Sequence, residues 1–164
     1  MVSMLLLSTI LQVAQAASPL PTIPPNILKM APKAATLRIT PEYTPGKPIP
    51  KKFAMKECGG EDRSPRVSWS GVPKGTKSFI LTLTDSTMDS AAHWIVADIP
   101  GTTRGLPPNA QSAHNPAYGR VVRSSFGGAR YYGPCPPQGS QHMYVLTLYA
   151  LDVPHLPVET PPDV

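Results

Sequence analysis

Apolar and polar positions alternate with a period of two through several stretches of the chain. In Ser78–Asp85, Phe79, Leu81, Leu83 and Asp85 point one way, and Ile80, Thr82 and Thr84 the other. Such alternation predicts a half-buried strand. His93–Pro100 reads as a second strand. Gln141–Tyr149 opens a third, which runs on into Ala150–Val153. Shorter strands are expected at Ala35–Ile39, at Lys52–Met55 and within Arg63–Pro73, where Val67 and Trp69 share a face and Gly71 with Pro73 stops the run. Asp85 ends an otherwise apolar face. If a hairpin joins the two strong strands, Asp85 and His93 lie at the same end of the sheet. Gly101–Arg120 is rich in Gly, Pro and Asn and reads as one long loop. The tail from Pro154 to Val164 has no periodicity.

Composition sharpens this to a mainly β fold. The 164 residues give room for one domain, and 41% hydrophobic against 15% charged content is that of a globular chain. Twenty-two prolines leave few windows long enough for a helix. The apolar run from Met1 to about Ala16 is too short to span a bilayer, and Ala14 and Ala16 fit a signal-peptide cleavage site. It lacks the usual basic residue before the apolar core, and the alternative is a buried N-terminal strand or helix. The expected organisation is a signal peptide at 1–16, a Pro-rich linker at 17–34, a domain at 35–153 and a Pro-rich tail at 154–164. Export would place the mature protein in the periplasm or outside the cell, with no transmembrane span after cleavage.

Charge is unevenly spread. Up to Lys77 the chain carries 11 basic and 4 acidic residues, a net +7; the remainder carries 4 and 6, a net −2. A basic surface favours anionic partners. The lysines are broken up by prolines and form no nucleic-acid module, so a solvated basic face is the simpler reading and no nucleic acid is expected. Cys58 and Cys135 can pair if the chain is exported; otherwise they are two separate buried thiols.

The candidate chemistry lies at strand ends. His142 and Tyr144 stand two apart beside the stiff turn Gly133-Pro134-Cys135-Pro136-Pro137, so both project from one face. With Asp85 and His93 they would place two imidazoles, a phenol and a carboxylate on one rim. That set can hold an anion's oxygens, the carboxylate fixing one imidazole's tautomer or its proton. Gly133, without a side chain, would let backbone approach a ligand. The plainer alternative is a set of hydrogen-bonded core and rim residues. Two His and one carboxylate could also form a metal triad, but no metal-site spacing supports it, and no metal or other cofactor is expected. A hydrolase ranks lower still, since neither a nucleophile elbow nor a phosphate-binding or dinucleotide glycine loop is present.

Several segments together resemble one family. They are Ser64-Pro65, Trp69-Ser70-Gly71-Val72-Pro73-Lys74-Gly75-Thr76-Lys77-Ser78, His93-Trp94-Ile95-Val96, Tyr132-Gly133-Pro134-Cys135-Pro136-Pro137, His142-Met143-Tyr144 and Leu148-Tyr149-Ala150-Leu151-Asp152. In this order, from about Leu37 to Val153, they are similar to the phosphatidylethanolamine-binding protein family. Cys58-Gly59-Gly60-Glu61-Asp62 also matches its bacterial Raf-kinase-inhibitor-like branch. The resemblance implies an antiparallel β-sandwich-like fold with few short helices. It also implies a non-catalytic pocket for phosphate-like anions or phospholipid headgroups, lined here by Asp85, His93, Tyr131, Gly133, Pro134, His142 and Tyr144. The alternative is an exported protein-interaction or kinase-inhibitor-like module whose pocket is vestigial. Two departures stand out. Where the family has an Asp-Pro-Asp-Ala-Pro box, this chain has Asp85-Ser86-Thr87-Met88-Asp89, which keeps the first carboxylate and loses both prolines. Bacterial relatives continue into a C-terminal helix, which is expected to be missing here.

Overall fold

The computed structural model describes residues 37–110 and 115–156. The expected signal peptide and linker, and the place of a C-terminal helix, lie outside the described residues. Within them the fold is mainly β, with two antiparallel sheets. Seven strands form: β1 (Arg38–Pro41), β2 (Val67–Ser70), β3 (Ser78–Asp85), β4 (Ala91–Pro100), β5 (Gly105–Leu106), β6 (Arg120–Val121) and β7 (Tyr144–Leu151). The smaller sheet has the order β1-β2-β5 and the larger β6-β4-β3-β7.

The alternation in the sequence becomes burial. Phe79, Leu81, Leu83 and Asp85 on β3 are all buried, while Ile80, Thr82 and Thr84 are half-buried. Val67 and Trp69 on β2 face inward between exposed Ser68 and Ser70. The sheets meet where Trp69 packs on Phe79, ring centroids 5.3 Å apart. Removing water from these apolar faces drives the packing.

Three expectations need correction. Lys52–Met55 is no strand: Lys51–Phe53 is a 3-10 turn whose Phe53 N–H bonds back to the Pro50 carbonyl (3.0 Å), so its hydrogen bonds are local. A second such turn spans Lys56–Cys58. Gly101–Arg120 is not loop throughout, because β5 within it pairs with β2 and β6 begins at Arg120. The third correction concerns β4, which carries an irregularity that strict alternation does not foresee. Leu83 pairs with Trp94 but Thr84 with Ala92, so His93 is an extra residue in the ladder. A bulge re-aims side chains, and here His93 and Trp94, neighbours in sequence, are both buried.

Candidate functional site

The hairpin from β3 to β4 brings Asp85 opposite Ala91, and β7 lies on the other side of β3 with Tyr144 opposite Asp85. Asp85 is fully buried and acts as the hub. Its Oδ1 accepts the Thr87 N–H at 2.9 Å, and its Oδ2 accepts His142 Nδ1–H at 2.6 Å. Burial pushes the carboxyl pKa up, but these hydrogen bonds and the His142 ring outweigh it, leaving Asp85 below the usual carboxylate range. A carboxylate only accepts, so the shared proton sits on His142 Nδ1 and Nε2 is the ring's other polar atom.

His93 repeats this arrangement with a different anchor. Its Nδ1 donates to the Tyr132 carbonyl at 2.9 Å, and its Nε2 is buried with no hydrogen-bond partner. Burial lowers the pKa of His93, against the pull of the Tyr132 carbonyl and of Asp85, so the ring is held neutral. Phe126 and Tyr144 flank it, with centroids at 4.7 and 5.1 Å. Tyr144 also stacks on His142 at 6.4 Å. Its phenol is pushed up to about 12, first by burial and then by the charge and hydrogen bond of Asp85.

The turn ahead of β7 is set by Asp62, whose Oδ1 accepts the Gly133 N–H at 2.7 Å and whose Oδ2 pairs with Arg130. Cys58 and Cys135 form a disulfide, Cα atoms 5.7 Å apart, which joins this turn to the Lys56–Cys58 turn. The altered loop after β3 is tied to β7's approach. Ser86 N–H and Oγ both donate to the Met143 carbonyl, at 2.9 and 3.0 Å, and Met143 N–H donates to Thr87 Oγ1 at 2.9 Å.

A profile described as phosphatidylethanolamine-binding protein matches residues 39–164. The chain belongs to the phosphatidylethanolamine-binding protein family. Among its relatives, the UPF0098 protein YbhB of Escherichia coli is 33% identical over 128 residues, 74% of this chain and 81% of YbhB. A UPF0098 protein of Aquifex aeolicus is 38% identical over 114 residues, 68% of this chain and 65% of the relative, so the match spans less than two thirds of that protein. The crystal structure of E. coli YbcL, described as a member of the mammalian family, superposes with a TM-score of 0.70 at 33% identity, covering 77% of this chain and 83% of YbcL.

Of the residues that the family resemblance assigns to a pocket, four come together: Asp85, His93, His142 and Tyr144. Tyr131 is turned away. It is buried against Trp94 and its hydroxyl donates to the Phe53 carbonyl at 2.9 Å. Burial pushes its phenol well above the usual value. At Gly133 a Cβ would lie 2.4 Å from the Ala54 and Met55 backbone, so the packing leaves no room for a side chain there. Pro134 is buried beside it, and its carbonyl accepts the Met55 N–H at 3.2 Å. Thr87 stands where the family box has its second carboxylate, and Asp89 sits exposed in the hairpin turn at φ 44°.

Sequence reasoning gave no role to Asp62, Thr87 or Phe126. Asp62 stands in the Cys58–Asp62 segment of the resemblance, which was a signal, but its span to Gly133 crosses 71 positions. Two cavities, of about 190 and 240 Å³, lie around Leu106, Pro107 and Tyr118 and do not border the imidazoles. Among the described residues no group of three His, Cys, Asp or Glu side chains is placed to hold a metal. No helix among them is long and apolar enough to cross a membrane.

Proposed function

We propose that the chain binds a small phosphate-bearing anion or phospholipid headgroup between His93 and His142, without turning it over, as in the Raf-kinase-inhibitor-like branch. The observation that carries this is the buried, unpartnered Nε2 of His93. A buried polar atom left unsatisfied costs roughly 1–3 kcal/mol, which a ligand atom would recover. Both imidazoles have Nδ1 fixed, His93 by a carbonyl and His142 by a carboxylate. Each can therefore offer only Nε2 to a ligand.

Burial favours the neutral form of His93. An anion beside Nε2 favours the imidazolium, so binding takes up a proton and weakens as pH rises. Titrating phosphate and phosphoethanolamine while following the histidine NMR signals tests this. Both His93 and His142 should shift, and calorimetric heats should vary with the buffer's ionisation enthalpy. Unmoved signals for both rings at saturation would overturn the reading.

A second reading is supported by Thr87 in place of a carboxylate: an exported protein-interaction module whose pocket is vestigial. It expects a purified partner to bind His142→Ala as tightly as the unaltered chain. The disulfide between Cys58 and Cys135 supports export in either case, since such bonds persist in oxidising compartments. Intact mass of the protein from its native cells should place the mature N-terminus near Ala17.

A further inference from the structure

We infer that β7 is a self-pairing edge, through which two copies of this chain join their larger sheets into one. In the order β6-β4-β3-β7, β7 is terminal, and among the described residues it pairs only with β3. The hydrogen bond from Ser86 N–H to the Met143 carbonyl fixes which residues face which way. Val145, Thr147, Tyr149 and Leu151 turn their backbone groups to β3, while Tyr144, Leu146, Leu148 and Ala150 turn theirs to the open edge.

Open edges are ordinarily blunted by charge, proline, a bulge or shortness. β7 has none of these. It is eight residues long, Met143–Leu151 contains no charged residue and no proline, and its register with β3 is unbroken. Val145 and Tyr149 are exposed on the solvent side, at 39% and 51%.

The strand is also complementary to itself. An antiparallel two-fold that uses all four outward residues sets Tyr144 against Ala150, and Leu146 against Leu148, of the second copy. It centres on Thr147 facing Thr147 of the second copy. Val145 then lies opposite Tyr149 of the second copy on the exposed face, an aromatic and β-branched pairing that stabilises sheets. A two-fold places each residue near its axis against its own like, so a charge there would repel itself. The neutrality of Met143–Leu151 meets that condition.

Sedimentation equilibrium on the full chain across a concentration series tests the pairing. The expected result is a mass approaching two chains at the high end. Thr147→Lys should remain monomeric throughout while keeping its melting temperature, and Tyr149→Glu serves if that variant does not fold. Thr147→Cys should oxidise to a cross-linked pair of chains, because residues opposite each other at such a non-hydrogen-bonded position approach closely. A wild-type chain that stays monomeric overturns the inference. If its Leu146 and Leu148 amides are then protected from exchange, the chain's own residues cover the edge; if they exchange freely, the edge is open. A dimer unaffected by Thr147→Lys or Tyr149→Glu overturns it too, by placing the contact on another face.

Discussion

A methyl group at position 133 would collide with the Ala54 and Met55 backbone, so packing alone requires glycine there. Gly133→Ala should lower stability by about 3 kcal/mol, the upper part of the overpacking range, read from denaturant midpoints. His93 bears on stability through its proton. The folded-state pKa of His93 is depressed, so the unfolded chain takes up its proton first as pH falls. Stability is therefore lost as pH drops from about 6.5 toward the folded value. Asp85 adds a second loss at lower pH. Its depressed carboxyl stabilises the fold above the unfolded value of about 4, and that contribution disappears as pH falls through the folded value. Chemical denaturation across pH should show both limbs. His93→Gln should erase the upper one and leave the lower.

At the level of elements, the strands were legible where alternation was long and β-branched residues common, as in β3, and illegible where hydrogen bonds stayed local. Lys51–Phe53 looks strand-like in sequence, yet Pro50 starts a turn there. Two-residue strands such as β5 and β6 leave almost no periodic trace. The bulge at His93 was invisible for another reason: it is a property of the pairing between β3 and β4, which depends on both strands at once. The site was legible to a similar degree. Strand ends predicted the meeting of Asp85, His93, His142 and Tyr144, whereas the inward turn of Tyr131 depends on Phe53, 78 positions away. The loop after β3 lacks the prolines of the family box and is tied to Met143 by three hydrogen bonds. Thr87→Val removes the side-chain oxygen at the centre of that tie. It should speed amide exchange at Met143 and weaken phosphate binding, with little change in the global melting temperature.

On the scale of the molecule, the join between the sheets rests on Trp69, which packs on Phe79 and donates from Nε1 to the Thr103 carbonyl at 3.1 Å. Trp69→Ala should cost about 3–5 kcal/mol in thermal or denaturant unfolding. Reducing the Cys58–Cys135 bond should cost on the order of 4 kcal/mol in the chain-entropy model, given the 77-position separation. The same bond makes part of the chain a covalent ring. Strands β2 to β6 lie inside it, whereas β1 and β7 belong to the two arms that leave it. A protease cut anywhere between Gly59 and Pro134 therefore opens the ring without severing the molecule. Nicked protein should migrate as one species until a reductant is added and as two afterwards. A cut in either arm releases a piece at once.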